Sequence, residues 1–277
     1  MSQSMFRADV DSLMAAVPNG AKLAIAKPDC GAAMAATRAL IRRGVRELHL
    51  ITVPVSGLQA DLLIGAGCVG TLETSGVSLG ELGPAPCFTR AVTGGRIALR
   101  DATCPAIYAG IQAGEKGIPF MPLRGLIGSD VARHRAEFKV IDNPFAGGDP
   151  IMAIAAINPD IALIHAPFAD RRGNVWIGRD RALMAMAHAA RRTLVTVEAI
   201  RDDDLLADDA LAPATLSSLY VTAIARAEKG AWPLGLPGRY ADDEAHLSEY
   251  VRLAKTEEGF QDYLRRFVLA PERAAAE

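Results

Sequence analysis

Aromatic residues are scarce in this sequence, only 5% of the chain, although half of all residues are hydrophobic. A core without large rings must be filled by Ala, Leu, Ile and Val, which is the composition of layered α/β proteins. A basic excess is also missing: 30 Lys and Arg face 32 Asp and Glu, for a formal net charge of −2. Such a balance does not supply the positive face that a nucleic acid requires, so that partner class is set aside. Cysteines are few. Cys30, Cys68, Cys87 and Cys104 make no C-x-x-C pair, and the five histidines include none at metal-ligand spacing. Reduced thiols, no metal and a cytoplasmic location are the expectation. No apolar run is long enough for a membrane span, and residues 1–11 carry acid without the apolar stretch of a signal peptide. A chain of 277 residues has ample length to bury a core, and no repeat or linker divides it, so one domain over residues 1–277 is expected.

The hydrophobic pattern alternates between two periods. Residues 22–26 and 46–53 read as strands, with an Ala-rich helix over 31–43 between them that ends at Gly44. This strand, helix, strand rhythm calls for a parallel sheet, because parallel neighbours need a crossover. Residues 61–65 read as a third strand and 96–100 as a fourth. Residues 105–116 read as a helix closed by Gly117. Residues 117–130 are too rich in Gly and Pro for regular structure, yet apolar, which suggests a buried irregular loop lining a site. Further strands are expected at 138–142, 150–156, 160–165 and 193–197, and helices at 180–191, 242–255 and 256–267. Residues 215–225 fit either type, and 270–277 should fray. The fold class expected is α/β, an open, mainly parallel sheet flanked by helices.

Several short motifs invite a function, each beside a plainer reading. Gly65-x-Gly67-x-x-Gly70 has the spacing of a dinucleotide-binding turn, but no helix follows it, and a glycine turn suffices. Gly76-Val77-Ser78-Leu79-Gly80 has the spacing of a nucleophile elbow. Pro84 and Pro86 leave little room for the helix such an elbow needs, and no histidine stands out as its base. Glu81, between glycines, could approach a substrate or simply favour a helix start. Cys104 precedes a helix start, where a thiol is activated, but it reads more simply as a small core residue. Arg124 could grip a carboxylate or phosphate, or form a structural ion pair. His165 reads as a core histidine bonded to backbone. Asp170 and Asn174 read as turn formers.

Longer segments carry more information than these motifs. Ile118-Pro119-Phe120-Met121-Pro122 with Gly128-Ser129, the run at 138–145, and the run at 159–166 continuing through Ala169-Asp170 and Gly173-Asn174-Val175 occur in one order, followed by Thr196-Val197-Glu198. Across about residues 61–200 the sequence resembles the α-subunit of family I coenzyme A transferases, the glutaconate CoA-transferase group in particular. The resemblance implies an acyl-CoA:carboxylate CoA-transferase whose site lies between two related subunits. A β-subunit glutamate would attack the acyl-CoA and carry coenzyme A as a glutamyl thioester, so no catalytic residue is expected in this chain. No permanently bound cofactor is implied, the coenzyme A thioester being a substrate. Residues 74–78 and 124–129 fit the wall that binds the acyl part, with Ser75, Ser78, Arg124, Gly125, Gly128 and Ser129 as candidate substrate contacts.

Two departures from the family stand out. After the first strand the family has a Gly-Gly-Phe run, whereas this chain reads Lys27-Pro28-Asp29-Cys30-Gly31. Pro28 removes an N–H donor, and its neighbours add charge. A branch of the family that hydrolyses carbon–carbon bonds uses an α-subunit glutamate near the position of Thr103 or Cys104, and neither is a glutamate. A CoA-thioester hydrolase or lyase, and a non-catalytic acyl-CoA or carboxylate binder, remain as alternative expectations.

Overall fold

The computed structural model describes residues 4–270. The chain opens with α1 (Val10–Met14), β1 (Lys22–Ala26), α2 (Met34–Arg42), β2 (Leu48–Val53), α3 (Leu58–Gly65) and β3 (Val69–Thr74). It continues with α4 (Pro86–Thr93), β4 (Ala98–Asp101), α5 (Cys104–Glu115), β5 (Phe120–Leu123), α6 (Asp130–His134), β6 (Lys139–Ile141) and β7 (Ile151–Ala155). Then come β8 (Ile161–Asp170), β9 (Val175–Trp176), α7 (Arg181–Ala189), β10 (Arg192–Arg201), β11 (Thr215–Leu216), β12 (Ala223–Arg226), α8 (Glu244–Ala254) and α9 (Glu257–Leu264).

Seven strands form the main sheet in the order β12, β10, β8, β1, β2, β3, β4, and every neighbouring pair is parallel. Strand β8 outruns β1, and its free end takes up the short antiparallel β9, which β11 extends. A separate antiparallel sheet holds β5, β7 and β6. The expected open, mainly parallel sheet flanked by helices is therefore present.

Side chains alternate across this sheet with period two. Leu23, Ile25, Leu48, Leu50, Leu72 and Leu163 pack with α1 to α4, α8 and α9. Ala24, Ala26, Ile51, Val53, Ile164 and Val195 pack with α5, α7 and the antiparallel sheet. Both faces of the central strands are covered, so β8 is buried from end to end, as the apolar run at its start anticipates.

Some expectations need correction. Residues 61–65 are the second half of helix α3, not a strand. Every residue from Leu58 to Ile64 is buried, so the segment has no polar face to reveal a helical period. The glycines that follow link this helix to β3, the reverse of the strand-to-helix order that a dinucleotide turn requires. Residues 117–130 contain strand β5, and Ile118, Phe120 and Ile127 are exposed, so this is not a buried irregular loop. Residues 215–225 resolve into β11, a 3-10 turn and the start of β12. Apart from Ala270, the tail expected to fray lies outside the described residues.

An ionic latch ties the antiparallel sheet's connection to the main sheet. Glu73 on β3 is buried and bonds His49 on β2 at 3.0 Å, and it pairs with Arg135, which is equally buried. Arg100 on β4 and Arg135 both reach Glu137, and Arg135 also donates to the Asp101 carbonyl at 2.9 Å. Burial alone would raise the Glu73 pKa, but the bonds from His49 and Arg135 outweigh it and hold the carboxyl below its ordinary value. A depressed carboxyl stabilises the fold fully above its unfolded pKa and loses that contribution as pH falls toward the native value. Glu73→Gln should therefore cost about 2 kcal/mol in urea unfolding near neutral pH. The difference from wild type should shrink as pH falls from about 6 to about 3. An unchanged gap across that range would remove Glu73 as the titrating member of the latch.

Candidate active site

Parallel strands leave the sheet at one edge, and in open α/β sheets that carboxyl edge is where ligands bind. The loops after β1, β2, β3 and β4 meet there. Gly57 lies between two of them: a Cβ at this position would stand 3.0 Å from both the Pro28 ring and the Ser78 carbonyl. The loops after β2 and β3 are joined by backbone bonds from Ser75 to Pro54 (3.1 Å) and from Ser78 to Ser56 (3.1 Å). The Ser75 hydroxyl donates to the Pro54 carbonyl at 2.8 Å and lies 3.1 Å from the Cys104 thiol. Cys104 opens α5 and is exposed, not the small core residue expected. Pro105 in the first turn sets the helix start, and the loop from β4 presents the thiol at this corner.

The other candidates are placed more widely. Ser78 bridges to Pro84 in a loop, and its hydroxyl accepts from the Gly80 amide at 3.2 Å. A 3-10 turn at Gly80–Leu82 follows it instead of the helix an elbow needs, and Glu81 is exposed on that turn. His246 bonds Tyr263 at 2.8 Å in the helical layer and is not available as a base for Ser78. Arg124 grips Asp149, with one of its two bonds at 2.6 Å, and Asn143 bonds the same carboxylate at 2.7 Å. Arg124 is therefore in an ion pair while its side chain stays 71% exposed. Ser129 caps α6, accepting from Ala132 at 3.2 Å, and its hydroxyl donates to the Leu126 carbonyl at 2.6 Å. Gly125 and Gly128 have positive φ and open space around them. Among the described residues no hydrogen bond or ion pair joins residues 124–129 to Ser75 or Ser78.

A cleft of about 1110 Å³ opens beside this corner, between α5 and α7. Its wall includes Tyr108, Ile111 and Gln112 of α5, Ala182 and Ala185 of α7, and Trp176 with Ile177. The Lys27-Pro28-Asp29-Cys30 departure contributes Lys27, Asp29 and Cys30 to the same wall. Asp180 joins this turn to α7. It caps the helix through the Ala182 amide (2.8 Å), accepts the Lys27 ammonium at 3.0 Å and accepts the Cys30 thiol. Burial raises the Cys30 pKa and the neighbouring Asp180 raises it further, so the thiol stays protonated. For Lys27 burial acts the other way, but the bond to Asp180 outweighs it and raises the pKa. Neither side chain is a nucleophile in this state. Gly31 completes the turn at φ +88°, with its Cα so close to the His165 carbonyl that a Cβ would collide with the oxygen. Only glycine fits there.

His165 is buried, but its ring bonds side chains and not backbone: Thr196 at 2.9 Å and Glu198 at 2.9 Å. Glu198 also accepts from the Tyr240 hydroxyl (2.7 Å) and from the Lys229 and Gly230 amides. Burial would raise the Glu198 pKa, and the bonds from His165 and Tyr240 outweigh it, lowering the value to about 2. These bonds brace the chain that carries Leu236, Pro237 and Gly238 to the cleft rim. Asp170 bonds the Arg172 and Asn174 amides, both at 2.9 Å, which is the turn-forming role expected. Sequence reasoning passed over Tyr108, Gln112, Arg179 and Arg181. The one signal for the last two is alternating charge around the α7 cap in Arg179-Asp180-Arg181. No group of three or more His, Cys, Asp or Glu among the described residues is placed to hold a metal.

An open parallel sheet with a cleft at its carboxyl edge defines the class, and comparison with known proteins defines the family. The coenzyme A transferase profile matches residues 7–218. One chain of a 3-oxoadipate CoA-transferase from Pseudomonas knackmussii is 30% identical, over 84% of this chain and 83% of that protein. One chain of a cholesterol ring-cleaving hydrolase from Rhodococcus jostii is also 30% identical, over 86% of this chain and 83% of that protein. The solved glutaconate coenzyme A-transferase of Acidaminococcus fermentans superposes with a TM-score of 0.89 at 25% identity, covering 97% of this chain and 90% of that one. An Archaeoglobus fulgidus protein is 34% identical over 83% of this chain, which spans only 51% of that protein. The chain belongs to the coenzyme A transferase family.

The placement of the thiols is directly measurable. Iodoacetamide should label Cys104 first, with Cys30, Cys68 and Cys87 slow, as read by peptide mass spectrometry. Asp180→Asn should speed labelling of Cys30 by about tenfold, because a carboxylate that holds the thiol proton is gone. Fast labelling of Cys30 in the wild-type chain would contradict the Asp180 bond.

Proposed function

We propose that this chain is the α-type subunit of an acyl-CoA:carboxylate CoA-transferase, and that a separate β-subunit supplies the glutamate nucleophile. One observation supports the divided site above others: the buried and half-buried carboxylates around the edge are engaged. Glu73 is held by His49 and Arg135, Asp180 by Lys27 and Cys30, and Glu198 by His165 and Tyr240. A carboxylate is a weak nucleophile toward a thioester and must be free and aimed to attack. Glu81 is the only glutamate in the loops after β1, β2, β3 and β4, and its exposed turn does not hold it in a fixed attack geometry; Glu228, just past β12, is also exposed and pairs with Arg226.

This chain's share of the work is positioning. Since the Ser75 proton points at Pro54, the Cys104 thiol is the donor in their 3.1 Å contact, and the two sit together at the corner. Ser78, Arg124, Gly125, Gly128 and Ser129 remain candidates for the wall facing the acyl group. The Gly125 and Gly128 amides are the freest donors of that set. Substrates are then a coenzyme A thioester and a free carboxylic acid, with no resident cofactor. A hydrolase reading draws on the ring-cleaving relative, but Thr103 and Cys104 offer no carboxylate at the position that branch uses.

The test is reconstitution with the polypeptide encoded beside this one. Coenzyme A exchange by the chain alone should fall roughly 1000-fold or more below the mixture. Glu81→Gln should leave the mixture's kcat unchanged. Ordinary exchange by the lone chain, or loss of activity in Glu81→Gln, would place the nucleophile here. Release of free coenzyme A without an acceptor acid would favour the hydrolase.

A further inference from the structure

The turn after β1 brings an amine and a thiol together. The Cys30 amide donates to the Lys27 carbonyl at 3.3 Å, which closes a 3-10 turn over Pro28–Cys30. Residues three apart in such a turn eclipse one another, so the Lys27 and Cys30 side chains leave it on one side. Both ends reach the same atom. The Lys27 ammonium lies 3.0 Å from Asp180 Oδ2, and the Cys30 thiol donates to that oxygen as well. No other cysteine among the described residues shares a hydrogen-bond acceptor with a lysine. Cys68 lies against Arg46, Cys87 against Tyr250 and Arg90, and Cys104 against Ser75. The pair is also open to small molecules. Lys27 and Cys30 both line the cleft between α5 and α7, and each is partly exposed.

The geometry points to an oxidative crosslink between these two residues, in which one oxygen atom joins Lys27 Nζ to Cys30 Sγ. The oxidant is dioxygen. The ammonium, the thiol and one dioxygen molecule give the N–O–S bridge, one water and one proton. Nitrogen and sulfur lose two electrons each, and dioxygen takes up all four as its O–O bond breaks. One oxygen becomes the bridge and the other leaves as water. The ammonium gives up two hydrogens and the thiol one; two of these enter the water and the third leaves as the proton. Asp180, already bonded to both groups, is placed to accept it. The competing route to sulfinic and sulfonic acids starts from the thiolate, and Asp180 keeps this thiol protonated. The bridge removes the Lys27 charge and the thiol donor together. Asp180 then retains the Ala182 amide, and the wall of the cleft changes from a matched ion pair to a bare carboxylate. This inference concerns the chain alone and does not depend on the functional reading above.

The test is peptide mass spectrometry on the full chain, kept either in air or without oxygen in dithiothreitol. Trypsin cuts after Lys22 and Arg38 but not between Lys27 and Pro28. One peptide, residues 23–38, therefore carries both partners and no other cysteine. In air this peptide should gain one oxygen atom and lose two hydrogens, and dithiothreitol should return it to its starting mass. Fragmentation should place the change between residues 27 and 30. Lys27→Arg and Cys30→Ser should each abolish the species. Lys27→Arg keeps a cation against Asp180, so its result reports on the amine and not on the fold. A peptide that stays at its reduced mass in air overturns the proposal. So does a gain of oxygen without loss of hydrogen, which marks a sulfenic acid on Cys30 or a sulfoxide on Met34. Persistence of the species in Lys27→Arg overturns it as well.

Discussion

Strand β1 pairs in parallel with β2 on one side and β8 on the other, so the chain leaves all three strands at the same edge. Parallel pairing forbids tight hairpins between neighbours, and the crossovers must be helices packed on the two faces. The alternation Leu23, Ala24, Ile25, Ala26 feeds both cores at once. The loops at the carboxyl edge are then free of any duty to connect adjacent strands directly. Their residues, from Lys27 to Cys104, can be chosen for what they present to a ligand.

Two polar clusters fix what this edge looks like. The Glu73 and Arg135 latch anchors the connection that carries β6 against β3 and β4. Asp180 pins the turn after β1 to the start of α7. The buried Glu73 and the half-buried Asp180 are each matched by cations or donors, which offsets the cost of desolvating charge. Matching also leaves these carboxylates chemically quiet. What stays open at the edge is mixed: the Cys104 thiol, the Ser75 oxygen and the two arginines of the cleft, with the exposed carboxylates of Asp29 and Glu81 nearby.

Much of this architecture is legible in the sequence where the period is clean. The strands at 22–26, 150–156 and 193–197 and the helices at 31–43, 105–116 and 180–191 all have structural counterparts, because one face of each helix is polar or each strand is short and apolar. Helix α3 is missed because it is buried all round. Cys104 is misjudged because exposure at a helix start depends on where the preceding strand delivers the chain. The Lys27-Pro28-Asp29 departure is visible as an oddity, but its partner Asp180 lies about 150 positions away. The cleft draws residues from Lys27 to Gly238, and no local pattern joins them. Arg179 and Arg181 look like ordinary surface charge until the wall between them is seen.

A missing carboxylate is the central claim, and intact-mass spectrometry addresses it most directly. The two-subunit complex is incubated with an acyl-CoA and quenched in acid, and each chain is weighed. A coenzyme A thioester adduct on the partner, with this chain at its unmodified mass, is the predicted result. An adduct on this chain, at Glu81 or any other residue, would contradict it.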